Sequence, residues 1–525
     1  MKILFLATYF PRPLNPTIGT WALEQAKAFQ RASEEAQSRE GSSELRVTSG
    51  DQSAGGTPAT SNPPPVTSFR VVSGNSWFPK IAGKMKAGIQ VYSGCPRNHS
   101  WDGVQVDYLP MLFYPFGKLD AIFNRVGEPM LQLGWWSIKG RLMKIVEEFQ
   151  PDVVYAHHTV PNGYFAFRIH KQTGIPFVVT DHEMGEITAC ETFSARRAVY
   201  EKVISLAYRM VSVAGVMRKD MERVFPQARC EVIHNGMNLS GQVETLKEDL
   251  TTEDTESTEE EDGAHLASQA GALEPDSLTS QLADSPVSES RTRFASGPAF
   301  SPATRNSLPA NAPEAPPIVI LSCGMFYERK NFPGLIQAFN LVAAKYPQVV
   351  LRIFGDGPDR IKVEQARDAS PFKDRIKMPG KVSHAEVLQQ MQEADVFALI
   401  GWREPFATVF LEAMAAGLPV IACNDGGIAE VIAGVELPEK LKLGNAEMLK
   451  PIGANGLLVP PRDIPAAARA LEFLILNPEA RKQIGEAARK KIEAELTWDA
   501  VARKYLEMFE EARRSNRWRD LKSEA

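Results

Sequence analysis

The sequence predicts an α/β protein of two doubly wound, Rossmann-like domains with a disordered acidic linker inserted between them. Three observations predict it. Short β-branched and leucine-rich runs alternate with helical patterns in residues 1–240 and again in 316–525, the rhythm of parallel strands joined by crossover helices. The runs end in glycine, proline and polar loops, where such folds collect ligand-binding groups. Between the halves, residues 241–315 carry 4 Lys and Arg against 15 Asp and Glu and lack the apolar content to fold.

Bulk properties narrow the function classes. A chain of 525 residues suggests two domains or more, and 44% hydrophobic with 23% charged residues is ordinary globular composition. The net charge of −5 excludes a globally basic nucleic-acid binder, so no nucleic-acid partner is expected. Cys95, Cys190, Cys230, Cys323 and Cys423 are widely spaced and odd in number, which argues against a disulfide framework and for a reducing cytoplasm. The apolar start, Ile3 to Thr8, is too short for a secretion signal and stops at Pro11 and Pro13. No apolar run reaches the roughly 18 residues of a membrane span.

In the first half, a strand over Ile3–Thr8 leads through a Pro-rich loop to Gly19 and a helix over Trp21–Ala32. No G-x-G-x-x-G follows that strand, which speaks against a dinucleotide cofactor. Gly19 is either a turn glycine or a point where the backbone approaches a phosphate. Residues 34–67, rich in Ser, Gly, Pro and Thr, read as a mobile insertion. Strands are expected over Phe69–Val72 and Val104–Leu109. Between them, residues 77–86 set aromatics beside three lysines, which suits an anionic membrane surface or an anionic acceptor. The helix over Leu131–Val146, with Trp135, Trp136, Lys139, Arg141 and Lys144, reads as a core-facing helix with a solvated basic face, and a membrane role is its alternative. A βαβ unit follows: strand Asp152–Ala156, loop 157–163, helix Tyr164–Gln172, strand Phe177–Thr180. His182 stands at the carboxyl end of that strand, where chemistry usually sits, so it is a candidate for substrate contact against the alternative of a structural histidine. His157, His158, His182 and Glu183 have no recognised metal-ligand spacing. A helix over Ser194–Met210, a strand over Val211–Ala214, a helix over Met217–Val224, a strand over Cys230–Ile233 and the Asn235-Gly236 turn complete this half.

The second half opens with strand Ile318–Cys323 and a glycine-led loop, Gly324 to Asn331. A helix over Gly334–Lys345, a strand over Val349–Phe354, a short strand from Ile376 and a helix over Ala385–Glu393 lead to strand Asp395–Ile400. The next stretch, Arg403 to Ile421, reads as loop, helix, turn and buried strand, with Gly417 as the left-handed cap and Pro419 blocking continuation. Gly426-Gly427 begins another helix, and Gly456–Val459 is the last strand. Glu404 precedes the helix of that stretch and Glu412 lies within it. Eight helical steps span about 12 Å. A carboxylate pair flanking one glycosidic bond stands about 5 to 9.5 Å apart. The two acids therefore suit two ends of an extended ligand, with the helix N-terminus between them as an anion site. Gly324, Arg329 and Lys330 add close backbone approach and cations. A nucleotide diphosphate sugar carries hydroxyls at both ends and a diphosphate in the middle, and it fits this set.

Together these motifs resemble the family 4 retaining glycosyltransferases of the GT-B fold. The carrying residues are Gly324 with Lys330, Phe354 to Pro358, Glu404-Pro405-Phe406 through Glu412 to Ile421, and Gly426-Gly427 with Glu430. Asn15 to Thr20 with Gln25-Ala26-Lys27 resembles a subgroup that acts on cell-surface polysaccharides. The resemblance implies two domains, 1–240 on the acceptor side and 316–495 on the donor side, facing a central cleft, and a terminal helix in 496–525 that crosses back. It implies that Glu404 contacts donor-sugar hydroxyls, Glu412 the ribose, Lys330 the diphosphate, and Lys381-Val382 the base. Phe406, Ala407 and Thr408 would form the phosphate-binding helix start. Gly19 would close on the donor and His182 would line the sugar pocket. It also implies transfer of a hexose with retention, to a glycan or lipid-linked acceptor, with no cofactor and no metal. Two positions depart from the pattern: Met325 stands where arginine is usual, with Arg329 as the candidate replacement, and Ala407 stands where glycine is usual. A weakened binding protein and a sugar-nucleotide epimerase are the alternatives on the same fold.

Overall fold

The computed structural model describes residues 1–13, 19–44, 68–76, 95–112, 118–239, 316–432, 434–436 and 454–515. The linker 241–315, the 77–86 segment, residues 45–67, Asn15 to Ile18 and the last ten residues lie outside them. In chain order the first half comprises β1 (Lys2–Leu6), α1 (Thr20–Glu44), β2 (Ser68–Ser76), β3 (Asn98–Trp101), β4 (Val104–Met111), α2 (Lys118–Val126) and α3 (Glu128–Phe149). It continues with β5 (Val153–His157), α4 (Tyr164–Thr173), β6 (Phe177–Asp181), α5 (Met184–Thr192), α6 (Ser194–Leu206), β7 (Arg209–Ser212), α7 (Gly215–Val224) and β8 (Cys230–Val232). The second half comprises β9 (Ile318–Cys323), α8 (Phe332–Ala343), β10 (Val349–Phe354), α9 (Arg360–Asp368), β11 (Ile376–Gly380), α10 (His384–Gln392), β12 (Val396–Leu399), α11 (Thr408–Ala415) and β13 (Val420–Cys423). It ends with β14 (Gly434–Glu436), β15 (Gly456–Val459), α12 (Ile464–Leu476), α13 (Pro478–Glu495) and α14 (Trp498–Arg514).

The strands form two separate sheets. The first runs β3-β4-β2-β1-β5-β6-β7-β8, parallel except for the β3–β4 pair. The second runs β11-β10-β9-β12-β13-β15-β14 and is parallel throughout. Both are doubly wound. Each reverses direction of growth beside its first strand, at β1/β5 and at β9/β12, and the crevice beyond that point is the ligand position of such sheets.

The β1 sequence shows why it is central. Ile3, Leu4, Phe5 and Leu6 are all buried. Alternate residues join different layers: Leu4 and Leu6 pack with Val154, Ala156 and Val179, while Ile3 and Phe5 pack with Val153, Tyr155 and Val178. A strand covered on both faces reads as one apolar run, and this one does. The second layer is closed by α14, whose Trp498, Val501, Tyr505 and Phe509 are buried against the first sheet. Thr497 caps α14 by accepting from Ala500 N at 3.1 Å. The chain returns to the first half where Met237 N donates to Leu496 O and Trp498 N donates to Met237 O. Gly236 permits this approach, since a Cβ there would lie 2.8 Å from the Trp498 backbone.

Three expectations are corrected. The first helix does not stop near Ala32 but runs to Glu44, so residues 34–44 are helical rather than part of an irregular insertion. Glu, Ala, Gln and Arg there outweigh the serines and Gly41. The Ser194–Met210 helix ends at Leu206, and a separate helix, α5, precedes it. Gly427–Glu430 forms a single 3-10 turn rather than an α-helix, and Gly427 N donates to Glu404 O at 2.9 Å.

Candidate active site

Two loops meet at the switch point of the second sheet. After β9 the backbone passes through Gly324, at φ 157°, into a 3-10 turn over Glu328–Lys330, and Asn331 closes it at φ 55°. After β12 it passes through Gly401 to Glu404. Trp402 N donates to Arg329 O at 2.9 Å, and Asn331 Nδ2 donates to Ile400 O at 3.4 Å. Gly401 is needed for this closeness, since a Cβ would lie 2.8 Å from Arg329 O. The two loops are thereby fixed to each other, and they carry their charges with them.

Lys330 and Glu404 are both buried. Lys330 Nζ lies 2.9 Å from Glu404 Oε2, and Arg329 lies 3.6 Å from Oε1 on the more exposed side. A carboxylate oxygen has two lone pairs, so Oε2 keeps acceptor capacity for a ligand hydroxyl beside the ammonium. Glu404 O accepts from Gly427 N, and Arg403 N donates to Asp425 Oδ2 at 3.2 Å, so the segment is held from the β13 loop as well. Met325, the residue after Gly324, is half exposed and adds no charge.

Beyond Glu404, Phe406 is buried and stacks on His234 of the first half, with centroids 5.2 Å apart and planes 11° off parallel. Ala407 takes an extended conformation as the N-cap residue of α11, and Thr408 is its first residue. Glu412 faces His384 Nε2 at 3.2 Å, and that contact raises the imidazole pKa above its ordinary value. Burial pushes the Cys323 thiol up to about 12, with the Glu412 carboxylate adding to the rise and the Lys330 ammonium opposing it. Lys381 is exposed next to Gly380, whose carbonyl accepts from Gly355 N. Val382 is partly buried against the core.

The first half contributes a different cluster. His182, just past β6, sits 4.4 Å from the Trp21 ring, 5.0 Å from His157 and 5.3 Å from His158. Burial depresses all three imidazole pKa values below the ordinary 6.5, so the rings are neutral at pH 7. His157 Nε2 lies 2.7 Å from Gln25 Oε1 and 2.9 Å from the Tyr155 hydroxyl. The Tyr155 hydroxyl is bonded on to Thr180 and then to Tyr505 of α14. Asp181, buried between Thr159 N and Thr159 Oγ1, has its pKa pushed up to about 6 by desolvation. Gly19 adopts φ 65°, and a Cβ there would lie 2.3 Å from Tyr9 O. This close packing alone requires glycine at 19.

Sequence reasoning named Gly324, Arg329, Lys330, Glu404, Phe406, Ala407, Thr408 and Glu412, and the structure gathers them at one sheet edge. It places His182 and Gly19 in the first-half cluster. It also brings in residues that were not singled out as site groups. Glu430 accepts from Gly215 N at 2.7 Å and Val216 N at 3.0 Å, so its carboxylate caps α7 across the halves. His234 and Gln25 are the others. The sequence signal for the cap was the lone Glu after Gly426-Gly427, whose partner lies 215 residues away in the chain.

Comparisons with known proteins agree with this architecture. Residues 304–491 match the family described as glycosyl transferases group 1, and residues 103–240 match glycosyltransferase family 4. Glycogen synthase from Mycobacterium tuberculosis is 27% identical over 216 residues, 41% of this chain and 48% of its own. The lipopolysaccharide core biosynthesis glycosyltransferase LpsE of Rhizobium meliloti is 26% identical over 201 residues, covering 38% and 51%. The chain spans about half the length of these curated relatives. Sucrose-phosphate synthase from Thermosynechococcus elongatus has the same fold, with a TM-score of 0.58 at 16% identity over all of both chains. So does Anabaena HepE, crystallised with UDP-glucose, at 0.52 and 16% over 97% of this chain and 98% of its own. One family model matches each half and the solved neighbours share the fold, so the chain has the GT-B architecture and is similar to the family 4 glycosyltransferases.

Proposed function

We propose that the protein transfers a hexose from a nucleoside diphosphate sugar, with retention and without a metal, to a glycan or lipid-linked acceptor in cell-surface polysaccharide synthesis. The observation that carries this reading is the buried Lys330–Glu404 pair fixed beside the start of α11 at the switch point of the second sheet. Glu404 Oε2 accepts from a hydroxyl of the donor sugar. Lys330, with Arg329 in place of the missing cation at 325, neutralises charge on the diphosphate as it leaves. The free N–H groups at Ala407 and Thr408 bind phosphate. Glu412 holds the ribose, and the Lys381-Val382 segment meets the base. The C1–O bond to phosphate breaks, the acceptor oxygen bonds to C1 on the same face, and the leaving phosphate takes the acceptor's proton. His182 and Gly19 would serve the sugar and acceptor side, where neutral imidazole suits sugar hydroxyls rather than phosphate.

The names of relatives support the acceptor class. They include a lipopolysaccharide core transferase and the gpi3 subunit of a phosphatidylinositol N-acetylglucosaminyltransferase from Schizosaccharomyces pombe. HepE, solved with UDP-glucose, makes UDP-sugars the first donors to test. Five free cysteines suit a cytoplasmic location, and peripheral contact at the inner face of the membrane would bring the enzyme to a lipid-linked acceptor. No helix among the described residues is long and apolar enough to cross a membrane.

Thermal-shift titration across UDP-, GDP- and ADP-sugars tests the donor class, and donor turnover by Glu404→Ala tests the site. A stabilised protein and turnover lowered by about 10²–10³ are expected. Absence of both binding and hydrolysis with every donor would reject the reading. Exposed Met325 favours one second reading, a weakened binder, for which Met325→Arg would raise donor affinity sharply.

A further inference from the structure

We propose that Glu430 is a positioning residue of the donor site, tying the first half to the segment that carries Glu404 and Phe406. The start of α7 shows why a carboxylate from elsewhere is needed. Ala214, its N-cap residue, has no side-chain oxygen, and the first turn of α7 holds no acid. The N–H groups of Gly215 and Val216, at the positive end of the helix dipole, therefore have no local side chain to accept from them. Glu430 supplies the acceptor from the second half. Its Oε2 accepts from Gly215 N at 2.7 Å and its Oε1 from Val216 N at 3.0 Å.

This contact continues to the donor site along two routes. Glu430 ends the 3-10 turn that begins at Gly427, and Gly427 N donates to Glu404 O. The turn is pressed between the halves: a Cβ at Gly427 would overlap Pro405 O and lie 2.5 Å from Ala214 Cβ. The second route is His234. Its ring stacks on Phe406, its Nδ1 lies 2.9 Å from Val213 O, and its Nε2 lies 3.9 Å from Glu430 Oε2. Residues 213–216 of the first half are thus tied to 404–406 of the second by a carboxylate, a backbone turn and a ring stack. A carboxylate that only capped a helix would have no such continuation.

In the proposed reaction Lys330, Glu404 and Glu412 hold the donor, so Glu430 acts through the placement of Glu404 and not by contact with the sugar. A shifted Glu404 lowers turnover, while the diphosphate contacts keep the donor bound. Hydrogen exchange on the full chain, read by mass spectrometry without substrate, tests the tie itself. Glu430→Ala should speed exchange by at least about tenfold in peptides carrying Gly215 and Val216, and also in those carrying Gly427. Loss of a helix cap alone would move the first pair and leave Gly427 as it was. Glu430→Gln keeps one acceptor oxygen and should fall between the two. Glu430 is exposed, so its removal leaves no cavity, and an unchanged far-UV circular dichroism spectrum serves as the folding control.

The turnover arm rests on the transferase reading and uses a nucleoside diphosphate sugar that binds the wild type. Glu430→Ala should lower kcat by at least about tenfold and leave donor affinity, measured by calorimetry, within about twofold of the parent. A wild type that turns over no donor would reject the transferase reading, and the exchange at Gly427 would then decide the tie by itself. Three results would overturn the proposal: unchanged exchange at Gly215 and Val216, unchanged exchange at Gly427, or full turnover by Glu430→Ala.

Discussion

The two sheet edges bring polar groups together with opposite electrostatics. At the second edge, Lys330 and Arg329 face Glu404, and His384 faces Glu412, so basic and acidic groups meet in pairs. At the first edge three histidines pack on one another and on Trp21, and burial strips their charge. In the proposed reaction Lys330 meets the diphosphate while Glu404 stays beside it for a sugar hydroxyl, so the buried ammonium is not left without an anion before the donor arrives. A site of neutral rings cannot bind phosphate that way. It offers ring faces and hydrogen-bonding nitrogens, which suit sugar hydroxyls. The contrast divides the labour in the proposed reaction between the two halves.

The largest expected effect breaks the charged edge. Lys330→Met leaves Glu404 buried with only the more distant Arg329. Loss of one partner from a buried pair destabilises by about 3–5 kcal/mol, and Arg329 should hold the effect near the lower figure. Urea unfolding would measure it. Adding Glu404→Gln should restore much of the stability while leaving donor turnover lost. If the single variant is as stable as the parent, the pair is better solvated than its burial implies.

Next in size is a comparison of two glycines, one from each half. Gly19→Ala puts a Cβ 2.3 Å from Tyr9 O at φ 65°. Gly417→Ala keeps a positive φ of 82°, but the added methyl meets nothing within 4 Å. Gly417→Ala should cost about 1 kcal/mol from backbone strain alone. Gly19→Ala should cost at least about 2 kcal/mol, because the neighbouring backbone must also move. Equal unfolding midpoints for the two variants would show that the Tyr9 turn yields easily, and that glycine at 19 answers to ligand approach instead.

The two edges also differed in how far the sequence revealed them. The second was legible because its groups lie on short local motifs: a glycine and lysine in one loop, two glutamates on one loop–helix unit. Strands β9, β10 and β15 were read at their observed bounds for the same reason, being apolar runs with clear terminators. The histidine cluster needed tertiary information. His157 and His182 stand 25 positions apart, and only the β5–β6 pairing, with α1 delivering Trp21 and Gln25 above it, makes them neighbours. The Glu430 cap on α7 and the stack of Phe406 on His234 were hidden likewise, since each joins segments from different halves. Helix α1 was misjudged because serines and a glycine suggested a loop where the remaining residues favour a helix.

The smallest effects separate the edges by the sign of their pH dependence. His157, His158 and His182 have folded pKa values below 6.5, so below that pH the unfolded chain binds more protons and stability falls as pH drops. Asp181 opposes them. Its folded pKa of about 6 lies above its ordinary 3.8, so the native state holds the extra proton between those values and stability falls as pH rises through that window. Three imidazoles against one carboxyl should leave the unfolding midpoint lower at pH 5 than at pH 7. Asp181→Asn should steepen that slope, and His182→Phe should flatten it. At the other edge the His384 pKa is raised by Glu412, so its contribution is full below 6.5 and is lost as pH rises through the folded value. The imidazole is largely exposed, so solvent screening keeps the effect on stability slight. A titration of its ring protons by NMR would still resolve it: Glu412→Gln should lower the His384 pKa, and nucleoside diphosphate should lower it too if the ribose draws Glu412 away from the ring. An unchanged titration on saturation with nucleotide would remove Glu412 from the ribose role.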